Sequence, residues 1–170
     1  MRIAPQIRSK KKKNMNREDL LFLPISINIT GKKILLIGGG NVGYHKASIL
    51  YRFTDKATII APEFHKGFNN LPFTLVQKRY STEDLEGAFL VYICTENKEL
   101  NHTIKKECEE RSILASVCDD PIECDFTSPA IYKNGNVTIA IASNAQNVHQ
   151  SIGIRNRVQE LVEDGSIKIR

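Results

Sequence analysis

Two hydrophobic patterns alternate along this chain. Short unbroken apolar runs are separated by longer stretches in which apolar positions recur every three to four residues. Lys33, Ile34, Leu35, Leu36 and Ile37 form the first clear run. A run that is apolar on both faces is what a strand buried inside a parallel sheet requires. Residues 57–61, 73–78, 88–94 and 114–118 repeat the pattern, and Pro62 stops the second run. Between them, residues 44–53 place Ala47, Leu50 and Tyr51 on one helical side, and residues 97–111 read as a charged amphipathic helix. Residues 20–29 are a short apolar entry in which Pro24 permits an edge strand at most.

Strands alternating with helices over short links predict an α/β fold, a Rossmann-like, doubly wound parallel sheet over residues 21–127. The character then changes. Residues 130–132 and 137–142 flank Lys133-Asn134-Gly135-Asn136, and Asn-Gly is a strong hairpin signal. Residues 146–163 predict a last helix with Val148, Ile152, Val158, Leu161 and Val162 on its apolar side. So small a C-terminal region, residues 128–170, offers that side no evident cover, which points to a homodimer.

With 170 residues and 41% apolar composition, the chain can fill one compact domain with a small appendage. No apolar run approaches the ~20 residues of a membrane span. Four cysteines in this length do not make a disulfide scaffold. Cys94, Cys108, Cys118 and Cys124 form no Cys-x-x-Cys pair, and no histidine stands at helical ligand spacing, so they read as core thiols with no metal. A reducing, cytoplasmic setting follows. The net charge of +5 resides in residues 1–20, which hold seven basic residues against two acidic ones. Nucleic-acid affinity comes from phosphate contacts spread over a folded face. A basic tail on a neutral body is therefore expected to be disordered and solvated, with no nucleic-acid partner. Met15 is a second candidate for the natural start, and the choice between it and Met1 stays open.

The chemistry concentrates after the first strand. Gly38-x-Gly40-x-x-Gly43 follows that strand at once and opens a helix, the context a dinucleotide loop requires. Gly38 would permit the tight turn, Gly40 the backbone's approach to a pyrophosphate, and Gly43 with Ala47 close packing of helix on sheet. The helix N-terminus would present free N–H groups to the phosphates. The acid expected at the end of the second strand is absent, because that position is Ala61; Glu63 stands two residues on. With His65 and Lys66 close by, NAD and NADP are not separated by these residues. Thr95 and Asn97 follow the fourth strand and suit either helix capping or cofactor contact. Residues 119–125, Asp-Asp-Pro-Ile-Glu-Cys-Asp, bring four carboxylates to the same sheet edge. They read either as a capped turn or as a source of a proton acceptor.

Taken together, Phe22-Leu23-Pro24-Ile25, the glycine loop with Lys46-Ala47, residues 119–126, Ser128-Pro129-Ala130 and residues 137–143 resemble the precorrin-2 dehydrogenase and sirohydrochlorin ferrochelatase family. This is the module also found at the N-terminus of siroheme synthase, and the resemblance covers roughly residues 21–163. It implies NAD-dependent oxidation of precorrin-2 to sirohydrochlorin, a step of siroheme and porphyrin biosynthesis. It places Asp119 as the catalytic residue and implies that Asn41, Val42, Glu63 and Phe64 touch the cofactor. It also implies a homodimer built by the hairpin and last helix. Some family members insert ferrous iron at the same site, and for this chain that question stays open. Lys46, Lys133, Arg155 and Arg157 are candidate contacts for an eight-carboxylate substrate. Three departures stand out. His45 replaces the basic residue that usually precedes the loop helix's lysine. Residues 143–149 lose the glycine and Ser-Pro of the family's Ser/Thr-x-Gly-x-Ser-Pro stretch. The C-terminal helical region of full members is absent after Arg170. A non-catalytic dinucleotide- or tetrapyrrole-binding module working with a partner protein is the alternative.

Overall fold

The computed structural model describes residues 15–169, so the lysine run of the basic tail lies outside it. Two compact units emerge, one of residues 27–126 and one combining residues 15–26 with 127–169.

The first unit is built on five parallel strands: β1 (Lys33–Ile37), β2 (Thr58–Ala61), β3 (Thr74–Gln77), β4 (Ala88–Ile93) and β5 (Leu114–Val117). Their order is β3-β2-β1-β4-β5, so the winding reverses between β1 and β4. Ligands of such sheets bind in the crevice outside the strand carboxyl ends at that reversal. Helix α1 (Asn41–Leu50) follows β1, and α2 (Lys98–Glu110) follows β4. Successive residues of β1 feed opposite cores. Ile34 and Leu36 pack with Ala47, Leu50, Ile59 and Phe68 on the α1 face, while Leu35 and Ile37 pack with Val91, Ile104 and Cys108 on the α2 face. The parallel α/β sheet predicted from the unbroken runs is therefore present.

Some boundaries differ from expectation. Helix α1 begins at Asn41, three residues early, because Gly40 takes an extended conformation as N-cap and its carbonyl accepts the Tyr44 N–H at 2.9 Å. The helix ends at Leu50, and residues 51–53 form a turn in which the Phe53 N–H bonds to the Leu50 carbonyl at 2.9 Å. Residues 20–29 form no strand.

In the second unit, β6 (Ala130–Asn134) and β7 (Val137–Ile141) form the expected antiparallel hairpin, but its turn is shifted by one residue. Asn134 pairs with Val137, which leaves Gly135 and Asn136 at the tip. Gly135 carries the positive φ of +55° that this tight turn demands at its first central position. Helix α3 (Val148–Glu163) is capped by Asn147, whose Oδ1 accepts the Gln150 N–H at 2.9 Å. Ser151 is its one buried residue, and Val148 and Ile154 are 60% and 46% exposed.

Candidate functional site

A cavity of about 880 Å³ opens at the carboxyl edge of the parallel sheet. Residues 37–42 line it from β1 and the start of α1, residues 60–63 from β2, Arg79 and Tyr80 from beyond β3, and residues 94–97 from β4. Asp119, beyond β5, lines the same cavity. This is the crevice at the β1/β4 reversal, and its size falls within the ~300–1,000 Å³ of small-molecule sites.

Its floor depends on glycines that do different work. Gly38 has φ +122°, and a Cβ there would stand 2.4 Å from the Cys94 carbonyl oxygen. Gly39 is pressed onto the β2 loop, where a Cβ would meet the Glu63 carbonyl at 2.0 Å and where its own carbonyl accepts the His65 N–H at 2.7 Å. Gly43 is buried under the turn, with a Cβ position 2.2 Å from the Gly38 carbonyl. Gly40 differs: a Cβ there would meet nothing nearer than Glu96 Oε1 at 3.9 Å. Its free side faces the cavity, leaving room for a group to lie against the backbone at the N-terminus of α1. A pyrophosphate fits that place on steric and electrostatic grounds.

Of the residues singled out for cofactor contact, Gly38, Gly40, Asn41, Val42, Glu63 and Thr95 line the cavity. Gly43 lies beneath the loop, and Phe64 packs edge-on against the Phe68 ring. Thr95 buttresses its own loop, since its hydroxyl donates to Asn101 Oδ1 and its carbonyl accepts from Asn101 Nδ2 at 2.9 Å. Asn97 is the N-cap of α2, accepting the Leu100 N–H at 2.9 Å. His65 turns away: its ring lies 4.7 Å from that of Tyr44, and its Nδ1 accepts the Gly67 N–H. Arg79 is the basic side chain on the cavity, and sequence reading passed over it because nothing local distinguishes it from a solvated strand-end residue. Its neighbour Tyr80 donates to Glu107, and burial together with that bond pushes its hydroxyl pKa up.

The four carboxylates of residues 119–125 diverge. Asp119 lines the cavity. Asp120 caps the turn at Pro121–Glu123, accepting the Ile122 N–H at 3.2 Å. Asp125 points inward to the Lys105 ammonium at 2.6 Å and accepts the Ala115 N–H at 3.0 Å. The capped-turn reading thus holds for Asp120, while Asp119 stands at the cavity. Burial of Lys46, half-buried on α1, pushes its pKa below the ordinary lysine value and outweighs the opposing pull of Asp119. Lys133 and Arg157 are engaged within their own unit, by the Gly135 carbonyl and by Glu160.

The core-thiol expectation needs correction for two of the four cysteines. Cys94 and Cys118 are disulfide-bonded, with Cα atoms 5.3 Å apart. Cys108 and Cys124 are free. Among the described residues, no group of three or more His, Cys, Asp or Glu side chains converges as a metal site, and no helix is long and apolar enough to cross a membrane.

Comparison with known proteins agrees with this geometry. A siroheme synthase of Photorhabdus laumondii is 32% identical over 145 residues, which is 83% of this chain and 31% of that protein. One from Buchnera aphidicola is 34% identical over 126 residues, 72% of this chain and 27% of its own length. The chain thus spans less than a third of these relatives. A solved structure of SirC, a precorrin-2 dehydrogenase, superposes with a TM-score of 0.70 at 17% identity, covering 82% of this chain and 70% of that one, and so shares the fold. The family model described as "Putative NAD(P)-binding" matches residues 25–130, the stretch that holds the whole cavity, and the chain belongs to that family.

Proposed function

We propose that this chain binds NAD on its glycine loop and oxidises precorrin-2 to sirohydrochlorin. The observation that carries the reading is Asp119 lining one cavity with Gly38, Gly40 and the N-terminus of α1. The reaction removes two electrons and two protons from a reduced macrocycle. NAD, when bound, supplies the hydride acceptor. Backbone N–H groups at Asn41 and Val42 hold the pyrophosphate, and Glu63 takes the ribose hydroxyls. Asp119 accepts the proton from the macrocycle as general base. The Lys105–Asp125 pair holds the segment that carries Asp119 in place.

Residues 21–127 serve as the NAD-binding domain and residues 128–170 as the dimerisation region. The exposed Val148, Ile152 and Ile154 of α3 support a homodimer, since that helix buries a single residue within the chain. The setting is the cytoplasm. A second reading, dinucleotide or tetrapyrrole binding without turnover beside a partner protein, is favoured by one observation: Ala145 occupies the family's glycine position in residues 143–149 and is held at φ +59°. The test is anaerobic incubation with freshly generated precorrin-2 and NAD, following NADH absorbance and the sirohydrochlorin spectrum. Ferrous iron added afterwards reads out metal insertion. No turnover, with NAD bound by calorimetry, would replace the enzyme with the binding module.

A further inference from the structure

The chemistry proposed above leaves the bonded cysteines unused. Ile93 faces Val117 across β4 and β5, so the next residues in register are Cys94 and Cys118. Facing residues of parallel neighbours project to the same side of the sheet. Both cysteines belong to the core on the α1 face, and their Cα separation of 5.3 Å suits a disulfide. One of them stands at the cavity, and the other adjoins a residue that does. Cys94 lines it, and the Cys94 carbonyl is the atom that excludes a side chain at Gly38. Cys118 immediately precedes Asp119.

We propose that Cys94 and Cys118 form a reversible thiol–disulfide couple, a redox modification site that ties the Asp119 segment to the cavity wall. The couple's chemistry stands apart from the functional reading, and only its consequence for Asp119 rests on it. Cys118 is half-buried and Cys94 only 6% exposed, so a small reagent meets Cys118 first. The Cys118 thiolate attacks a low-molecular-weight disulfide such as glutathione disulfide, forming a mixed disulfide and releasing one glutathione thiolate. The Cys94 thiolate then attacks the Cys118 sulfur and expels the second. Two electrons pass from the protein thiols to the oxidant, and the two protons the thiols lose end on the released glutathiones. Excess glutathione runs the sequence backwards. The free cysteines are poor competitors: burial pushes the Cys108 thiol up to about 12 and raises that of Cys124. In a reducing compartment, a disulfide of this kind is characteristically transient and sensing.

The experiment equilibrates the full chain, without any dinucleotide, in buffers of graded glutathione to glutathione disulfide ratio. Acid quenching, alkylation and peptide mapping then read the linkage. The expected result is a Cys94–Cys118 linked peptide that rises and falls reversibly with the ratio, while Cys108 and Cys124 stay alkylatable after unfolding. Cys94→Ser should stop the sequence at glutathione on Cys118. Hydrogen exchange of the Cys118, Asp120 and Cys124 amides should be about tenfold or more slower in the oxidised form. Thiols free at every ratio, a bond that glutathione does not reopen, or equal exchange in both forms would overturn the proposal. NAD titration of both forms comes last. If neither form binds NAD, the functional reading fails and the couple stands.

Discussion

The Lys105 ammonium, 1% exposed, lies 2.6 Å from Asp125 Oδ2, twenty residues away in sequence and on the far side of β5. Glu109 Oε1 stands 3.2 Å from the same nitrogen, and the Asp125 oxygen also accepts the Ala115 N–H at 3.0 Å. The pair clamps the end of the loop that begins with Asp119 onto α2 and β5. Losing Lys105 leaves a part-buried carboxylate, 18% exposed, without its ammonium, which costs about 1–3 kcal/mol. Lys105→Met is expected to lose stability in that range by urea unfolding. Lys105→Met with Asp125→Leu should recover much of it, because the second change removes the unpaired carboxylate.

Gly38 and Gly40 are expected to separate folding from binding. Gly38→Ala forces a methyl against the Cys94 carbonyl at φ +122°, so a loss of more than about 2 kcal/mol in thermal or urea unfolding is expected. Gly40→Ala has open space around its methyl and an ordinary φ of −76°. It should leave stability within about 0.5 kcal/mol. Its NAD affinity by calorimetry should fall about tenfold or more, a loss of at least ~1.4 kcal/mol, because the methyl occupies the place of the pyrophosphate.

Ala145 sits at φ +59°, a left-handed conformation that costs a residue with a Cβ roughly 1–2 kcal/mol. Ala145→Gly is therefore expected to raise stability by about 0.5–1 kcal/mol, the gain reduced by glycine's greater freedom in the unfolded chain. Differential scanning calorimetry reads this directly.

Asp84 carries an acid-dependent part of the stability. Burial opposes its ionisation, but the Lys78 ammonium at 2.7 Å and the Ser81 N–H at 2.9 Å outweigh it and hold its pKa below 3.8. A folded value below the unfolded one adds stability above the unfolded pKa, and that stability is lost as pH falls through the folded one. Between about pH 5 and pH 2, wild-type unfolding free energy should therefore fall more than that of Asp84→Asn. Lys78 is 42% exposed, so solvent screening keeps the difference under about 1 kcal/mol.

The parts of this molecule legible in its sequence are those set by neighbouring residues. The Lys33–Ile37 run, the glycine loop and α1 form one continuous signal, because a doubly buried strand must be apolar throughout and the loop needs glycine at fixed spacing. The hairpin was legible in kind but not in register, since Asn134-Gly135 and Gly135-Asn136 both offer a glycine to a two-residue turn. Long-range pairs were not legible. Lys105 looks like one more charge on an amphipathic helix until β5 brings Asp125 beneath it. Cys94 and Cys118 have no spacing motif, and only the β4–β5 register sets them face to face. Arg79 and Tyr80 reach the cavity because β3 lies beside β2, a matter of strand order that local pattern does not carry.

The most direct test of the central claim compares Asp119→Asn with wild type in the anaerobic precorrin-2 and NAD assay. Asp119 lines the cavity without entering either core, so the variant should fold normally and bind NAD as wild type does. The account predicts wild-type NADH formation with sirohydrochlorin appearing in step, and a loss of about a hundredfold or more in the variant, the scale of a general base removed. Equal turnover by the two proteins would contradict the role assigned to Asp119. Absence of turnover in both, with NAD bound, would contradict the dehydrogenase.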